Sequence, residues 1–119
     1  MGRNSSLDGF IWEWTYYLEE RGHCVLPPDG PAPALQSRNG NDRCYRWLLF
    51  CSQTPTRRLT APERRMAQRQ IDQCKSTGEE GYIVVRFDLP EPKVLIMPLA
   101  KALQARRLAS DKGGIPWMR

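Results

Sequence analysis

Gly81 to Leu99, GYIVVRFDLPEPKVLIMPL, constrains this chain more than any other stretch. Tyr82-Ile83-Val84-Val85-Arg86-Phe87 and Val94-Leu95-Ile96-Met97 are two apolar runs rich in β-branched or aromatic residues. Asp88, Pro90, Glu91 and Pro92 divide them, and such residues favour turns and oppose central strands. The pattern predicts a β-hairpin. Because the runs are nearly continuous in apolar residues, both faces of the hairpin are expected to be covered, one or both by helices. The fold class that follows is α/β (α+β), a small mixed sheet flanked by helices. At 119 residues one domain is expected, over residues 1–109, with 110–119 a flexible tail unless Trp117 docks.

Upstream, Met1 to Ser6 is a polar start, followed by a predicted helix from about Leu7 to Arg21. Phe10/Ile11, Trp14 and Tyr17/Leu18 recur on one face of it, and Gly22 is a stop. Aromatic residues nearly encircle this helix (Phe10, Trp12, Trp14, Tyr16, Tyr17), more than one sheet face covers. The surplus points to a homodimer or partner interface. His23 to Leu26 reads as a short strand, and Pro27 to Pro33 as a loop or edge segment. Ala34 to Ser37 is a further strand, joined through an Asn39-Gly40 tight turn to a core strand at Cys44 to Cys51. Thr60 with Glu63 forms a capping box for a second helix ending at Gly78, with Met66, Ala67, Gln70, Ile71 and Cys74 along its apolar side. Pro98 opens a third helix whose face carries Leu99, Ala102, Leu103 and Arg106.

The net charge of +5 is unevenly spread. Residues 57–75 and 99–119 each carry +4, whereas residues 1–36 carry −3. Separated basic and acidic regions favour a polyanionic partner, DNA or RNA. The basic candidates are Arg57, Arg58, Arg64, Arg65 and Arg69 before and on the second helix, with Lys101, Arg106 and Arg107 further on. Guanidinium groups fork onto phosphates, and a helix start adds free N–H groups near Arg57 and Arg58.

Other classes find little support. There is no 18-residue apolar run and no charged-then-apolar leader, so neither a membrane span nor a secretory signal is expected, and the chain reads as cytoplasmic. Cys24, Cys44, Cys51 and Cys74 form no C-x-x-C pair; four free, mostly buried thiols in a reducing compartment are expected, without zinc. Ser52 lacks a G-x-S-x-G context. His23, after the helix-ending Gly22, stands where a cation suits a helix C-terminus.

The element order, the Leu59-Thr60-Ala61-Pro62-Glu63 segment after the core strand and the Tyr82-Ile83-Val84-Val85 strand together resemble the PD-(D/E)XK nuclease superfamily, and within it the Holliday junction resolvases. The resemblance spans about residues 7–99. It implies a Glu on the first helix, an Asp ending one strand and an E-x-K on the next, holding a divalent metal, Mg²⁺ suiting oxygen ligands. Glu13 and Asp42 match the first two as metal ligands and catalytic residues. The core strand reads Leu49-Phe50-Cys51-Ser52-Gln53, with neither carboxylate nor lysine; only Gln53 or Ser52 is offered for the lysine place. The first reading is therefore a nucleic-acid-binding, resolvase-like protein with catalysis weakened or lost. Two alternatives stand beside it: a Mg²⁺-dependent endonuclease using Glu13, Asp42 and Gln53, and a non-catalytic regulatory subunit using the aromatic first helix.

Overall fold

The computed structural model describes residues 7–27, 30 and 32–117. The polar start at Met1 to Ser6, parts of the Pro27 to Pro33 loop and the last two residues of the tail lie outside them. In order, the elements are α1 (Leu7–Glu20), β1 (Cys24–Leu26), β2 (Ala34–Arg38), β3 (Cys44–Ser52), β4 (Thr56–Arg57), α2 (Ala61–Thr77), β5 (Glu80–Phe87), β6 (Lys93–Pro98), α3 (Leu99–Gln104), β7 (Leu108–Ala109) and β8 (Ile115–Pro116). Six strands form one mixed sheet in the order β1-β2-β3-β5-β6-β8, and β4 pairs with β7 in a separate ribbon. Among the described residues only β3 and β5 run parallel, joined through α2; the other ladders are antiparallel.

The expected hairpin is β5–β6, registered Tyr82↔Pro98 to Phe87↔Lys93. The apolar continuity of β5 has the expected cause, since helices cover both its faces, whereas Ile96 of β6 stays exposed. Alternation along β3 and β5 sends Leu48, Phe50, Ile83, Val85 and Phe87 toward Ala67, Leu99 and Ala102 of α2 and α3. The alternate residues Trp47, Leu49 and Val84 meet Phe10, Trp14 and Leu18 of α1. Gly81 is required where these layers meet: a Cβ there would stand 2.5 Å from Leu99 Cδ1 and 2.9 Å from Cys74 Sγ.

The second helix is fixed at both ends as its sequence suggests. Thr60 Oγ1 accepts from Glu63 N, Glu63 Oε1 accepts from Thr60 N, and Gly78 caps in the left-handed region at φ 81°. The β2–β3 turn differs from the expected Asn39-Gly40 pair. Asn39 Oδ1 accepts from both Asn41 N and Arg43 N, and the left-handed residue is Asp42, at φ 61°. An Asn side chain that satisfies two turn amides widens the loop and moves the positive φ downstream.

Three other expectations need correction. Arg106 lies beyond α3 and is exposed, so it shares no helix face with Leu99 and Ala102. Cys24 and Cys44 are exposed, because they sit near strand ends at the sheet rim, and only Cys74 is buried. The tail carried the condition that Trp117 stay undocked, and Trp117 is 4% exposed, against Phe10, Trp14 and Tyr17. Ile115 pairs with Val94, so residues 110–117 lie on the domain through β8.

Candidate functional site

Glu13 projects from α1 over the C-terminal ends of β3 and β5. Its Oε1 accepts from Arg86 Nη1 at 2.9 Å and from Trp117 Nε1 at 2.8 Å. Arg86 lies on β5 opposite Cys51 of β3, and its Nε donates to Asp88 Oδ1 at 2.6 Å. Asp88 follows Arg86 by two residues, and its own N–H donates to Ser52 O at 2.7 Å, tying the two strand ends together. The Arg86 side chain is 4% exposed. Burial opposes its charge, but the bonds from Asp88 and Glu13 outweigh that and hold its pKa above the usual arginine value. Burial pushes the neighbouring Cys51 thiol up to about 11, with Asp88 and Glu13 adding to the effect, so it is a protonated thiol at neutral pH.

The structure does not bring the other expected ligands here. Asp42 occupies the β2–β3 turn, at the opposite end of the nine-residue β3 from Ser52, a span of about 30 Å at the usual rise per strand residue. Its role is that of a turn residue. Ser52 Oγ donates to Thr54 O at 2.9 Å, closing the bend after β3, and Gln53 is exposed in that bend. On the Glu13 side of β3, alternation places Leu49 and Cys51, so the two positions facing the helix carboxylate are apolar or thiol.

Beside this cluster lies a basic corner. The β4–β7 ribbon pairs Thr56 with Ala109 and Arg57 with Leu108. Arg58 follows β4 and Arg107 precedes β7, so the two adjoin the same end of the ribbon. Two runs far apart in sequence are thereby joined, and Arg64 Nη2 reaches across to Leu103 O at 2.5 Å, linking α2 to the end of α3. Arg58, Arg65, Arg69, Lys101, Arg106 and Arg107 are exposed and form no ion pair among the described residues. Arg69 stands farther along α2, over a hollow lined by Ala32, Ala34, Arg46 and Gln73. Arg57 has a different role from the one expected. It pairs with Glu63, its guanidinium lies 5.1 Å from the Phe50 ring centroid, and its Nε is buried without a hydrogen-bond partner. It braces the capping box from within.

Neither a family model nor a curated protein matches this chain in sequence. Among solved structures, Hjc from Archaeoglobus fulgidus, described as a Holliday junction resolvase from an archaeal hyperthermophile, superposes with a TM-score of 0.67 at 14% identity, over 90% of this chain and 88% of that one. The chain shares the fold of that Holliday junction resolvase. Its similarity to Hjc is one of architecture.

The resolvase fold implies a divalent metal, and the residues present do not fit one. Magnesium needs several oxygen ligands at about 2.1 Å, yet Glu13 Oε1 already accepts two N–H donors and Asp88 Oδ1 is held by Arg86. Among the described residues, no group of three or more His, Cys, Asp or Glu side chains gathers to hold a metal ion. No helix there is long and apolar enough to cross a membrane.

Arg86, Asp88 and Trp117 are the site residues that the sequence reasoning missed. One signal was present: a charge inside the apolar run Ile83 to Phe87 must be paired once both faces are covered.

Proposed function

We propose that the protein binds nucleic acid on its resolvase fold through the corner formed by Arg58, Arg64, Arg65, Lys101, Arg106 and Arg107, with Arg69 extending it, and that phosphodiester cleavage is weakened or lost. The observation that carries this reading is the β4–β7 ribbon, which pairs the chain just before α2 with the chain just after α3 and so merges two separate basic runs. Exposed cations gathered at one corner suit successive phosphates, and contacts of this kind give affinity without sequence preference. The loss of cleavage rests on Leu49 and Cys51 facing Glu13, and on Arg86 holding that carboxylate.

Titration of branched, duplex and single-stranded DNA, and of RNA, across a salt series tests the proposal. Binding should appear at low salt and fall steeply as salt rises. An absence of binding to every substrate at low salt overturns it. Incubation of branched and linear DNA with Mg²⁺ or Mn²⁺ should yield no cleavage that Glu13→Ala abolishes; such cleavage would restore the endonuclease reading.

The interaction reading keeps one specific support. Trp12 and Tyr16 are 65% and 55% exposed on α1, with ring centroids 6.2 Å apart. A second copy of the chain is the occupant it suggests, and a mass measurement in solution, with Trp12→Ser/Tyr16→Ser as comparison, decides it.

A further inference from the structure

The mismatch between the fold and a metal has a definite structural content. A guanidinium that is almost wholly buried is costly unless its donors are matched. Arg86 is matched from two directions, by Glu13 from α1 across 73 residues and by Asp88 from its own strand face. The Phe10 ring lies 5.1 Å from the guanidinium carbon. Trp117 closes the arrangement by donating to the same Glu13 oxygen that Arg86 holds. Two partly exposed carboxylates around a centred, buried positive charge, with an indole against one of them, is the electrostatic arrangement that a hard cation would otherwise supply at a pair of acids.

We propose that Arg86 is the resident cation of this site, taking the charge-neutralising place of a divalent ion between Glu13 and Asp88 and excluding metal while it is there. An arginine suits this better than a lysine, because Nε and Nη1 point to different acids at once, whereas an ammonium is a single point charge. Asp88 Oδ2 is buried with no hydrogen-bond partner. Removing Arg86 therefore leaves that oxygen together with the freed Asp88 Oδ1 and a Glu13 Oε1 that keeps only the Trp117 donor, a hard-oxygen set of the kind that divalent and trivalent cations take. The inference concerns the site alone; combined with the proposed function, and only then, it requires polynucleotide binding to be independent of divalent metal.

Terbium(III) is the direct probe, since its emission is sensitised by a nearby indole and Trp117 touches Glu13. Titrated into the full chain under tryptophan excitation, terbium should give no saturable emission in the wild type. Arg86→Met should acquire saturable emission, displaced by Mn²⁺ or Mg²⁺ and lost again in Arg86→Met/Glu13→Gln. Saturable emission from the wild type that Glu13→Gln removes would overturn the proposal, as would its absence from an Arg86→Met protein that retains the wild-type circular dichroism. Wild-type melting decides independently of that variant's folding. The midpoint should be the same in EDTA and in millimolar Mg²⁺, and a rise of several degrees that Glu13→Gln abolishes overturns the assignment. Nucleic-acid titrations in EDTA and in Mg²⁺ should agree. If no polynucleotide binds at all, the proposed function fails while the terbium result stands unaffected.

Discussion

Trp117 Nε1 donates to Glu13 Oε1 at 2.8 Å, joining the end of the chain to its first helix across 104 residues. The indole also packs edge-on to Phe10 at 6.1 Å and lies 5.2 Å from Tyr17. Trp117→Ala should therefore cost about 3–5 kcal/mol of unfolding free energy, the usual loss for a buried aromatic. Trp117→Phe, which keeps most of the packing and loses the N–H, should cost about 1 kcal/mol. Urea unfolding measures both, and a Trp117→Ala protein as stable as the wild type would mean that β8 does not dock.

The arginines divide into two kinds with opposite readouts. Arg58 and Arg107 are exposed around the β4–β7 ribbon, so Arg58→Ala or Arg107→Ala should leave unfolding unchanged. Each should lower the slope of log affinity against log salt by about 1. Arg57→Ala should do the reverse, costing about 1–3 kcal/mol in stability, because Glu63 loses its partner and the capping box its brace. A uniform effect of all three variants on affinity would contradict the separation.

How much of this was legible in the sequence depended on range. The α2 capping box lies within four residues, and the β5–β6 hairpin within a short turn, so local chemistry determines both. The β4–β7 ribbon was not legible: two residues on each side carry no periodicity, and the pairing spans about half the chain. The site was half legible. Glu13 is legible from its place on α1, but Asp88 reads in sequence only as a turn residue of the hairpin, and only β5 pairing beside β3 puts it next to Cys51. Arg57 and Arg58 are adjacent and chemically identical, yet one faces Phe50 and the other solvent, a difference set by strand alternation in an element too short to foresee.

Glu79 and Glu80 are adjacent acids with unequal stakes. Arg46 donates to Glu79 Oε1 at 3.1 Å and 3.2 Å, with both side chains 7% exposed, whereas the Arg43–Glu80 pair is largely solvated. Glu79→Ala should cost about 3–5 kcal/mol by stranding a buried guanidinium, and Glu80→Ala less than about 1 kcal/mol. Burial pushes the Glu79 carboxyl up, but hydrogen bonds from Thr77, Gln36 and Arg46 outweigh it and hold the pKa below the usual carboxylate value. Its stabilising effect is thus complete above the ordinary Glu pKa, about 4.3, and lost as pH falls through the lower folded value. The stability gap between wild type and Glu79→Gln should narrow over that acid range; a constant gap would refute the assignment.

His23 behaves as a neutral group, in contrast to the cation suggested by its place after α1. Trp47 Nε1 donates to Ser37 Oγ at 2.8 Å, and His23 Nδ1 shares a hydrogen bond with the same oxygen at 2.9 Å. Ser37 is 3% exposed, so this bond ties the ring to the sheet. Burial in addition lowers the His23 pKa below 6.5. The unfolded chain therefore takes up the proton first, and stability should fall as pH drops through about 6.5. His23 is the only histidine, and few other groups titrate between about pH 7.5 and about 5.5. The wild-type urea midpoint should decline across that window, and His23→Gln, which cannot titrate, should flatten the decline. A midpoint that does not move with pH, or one that falls equally in both proteins, would place the buried proton elsewhere than in the His23–Ser37–Trp47 chain.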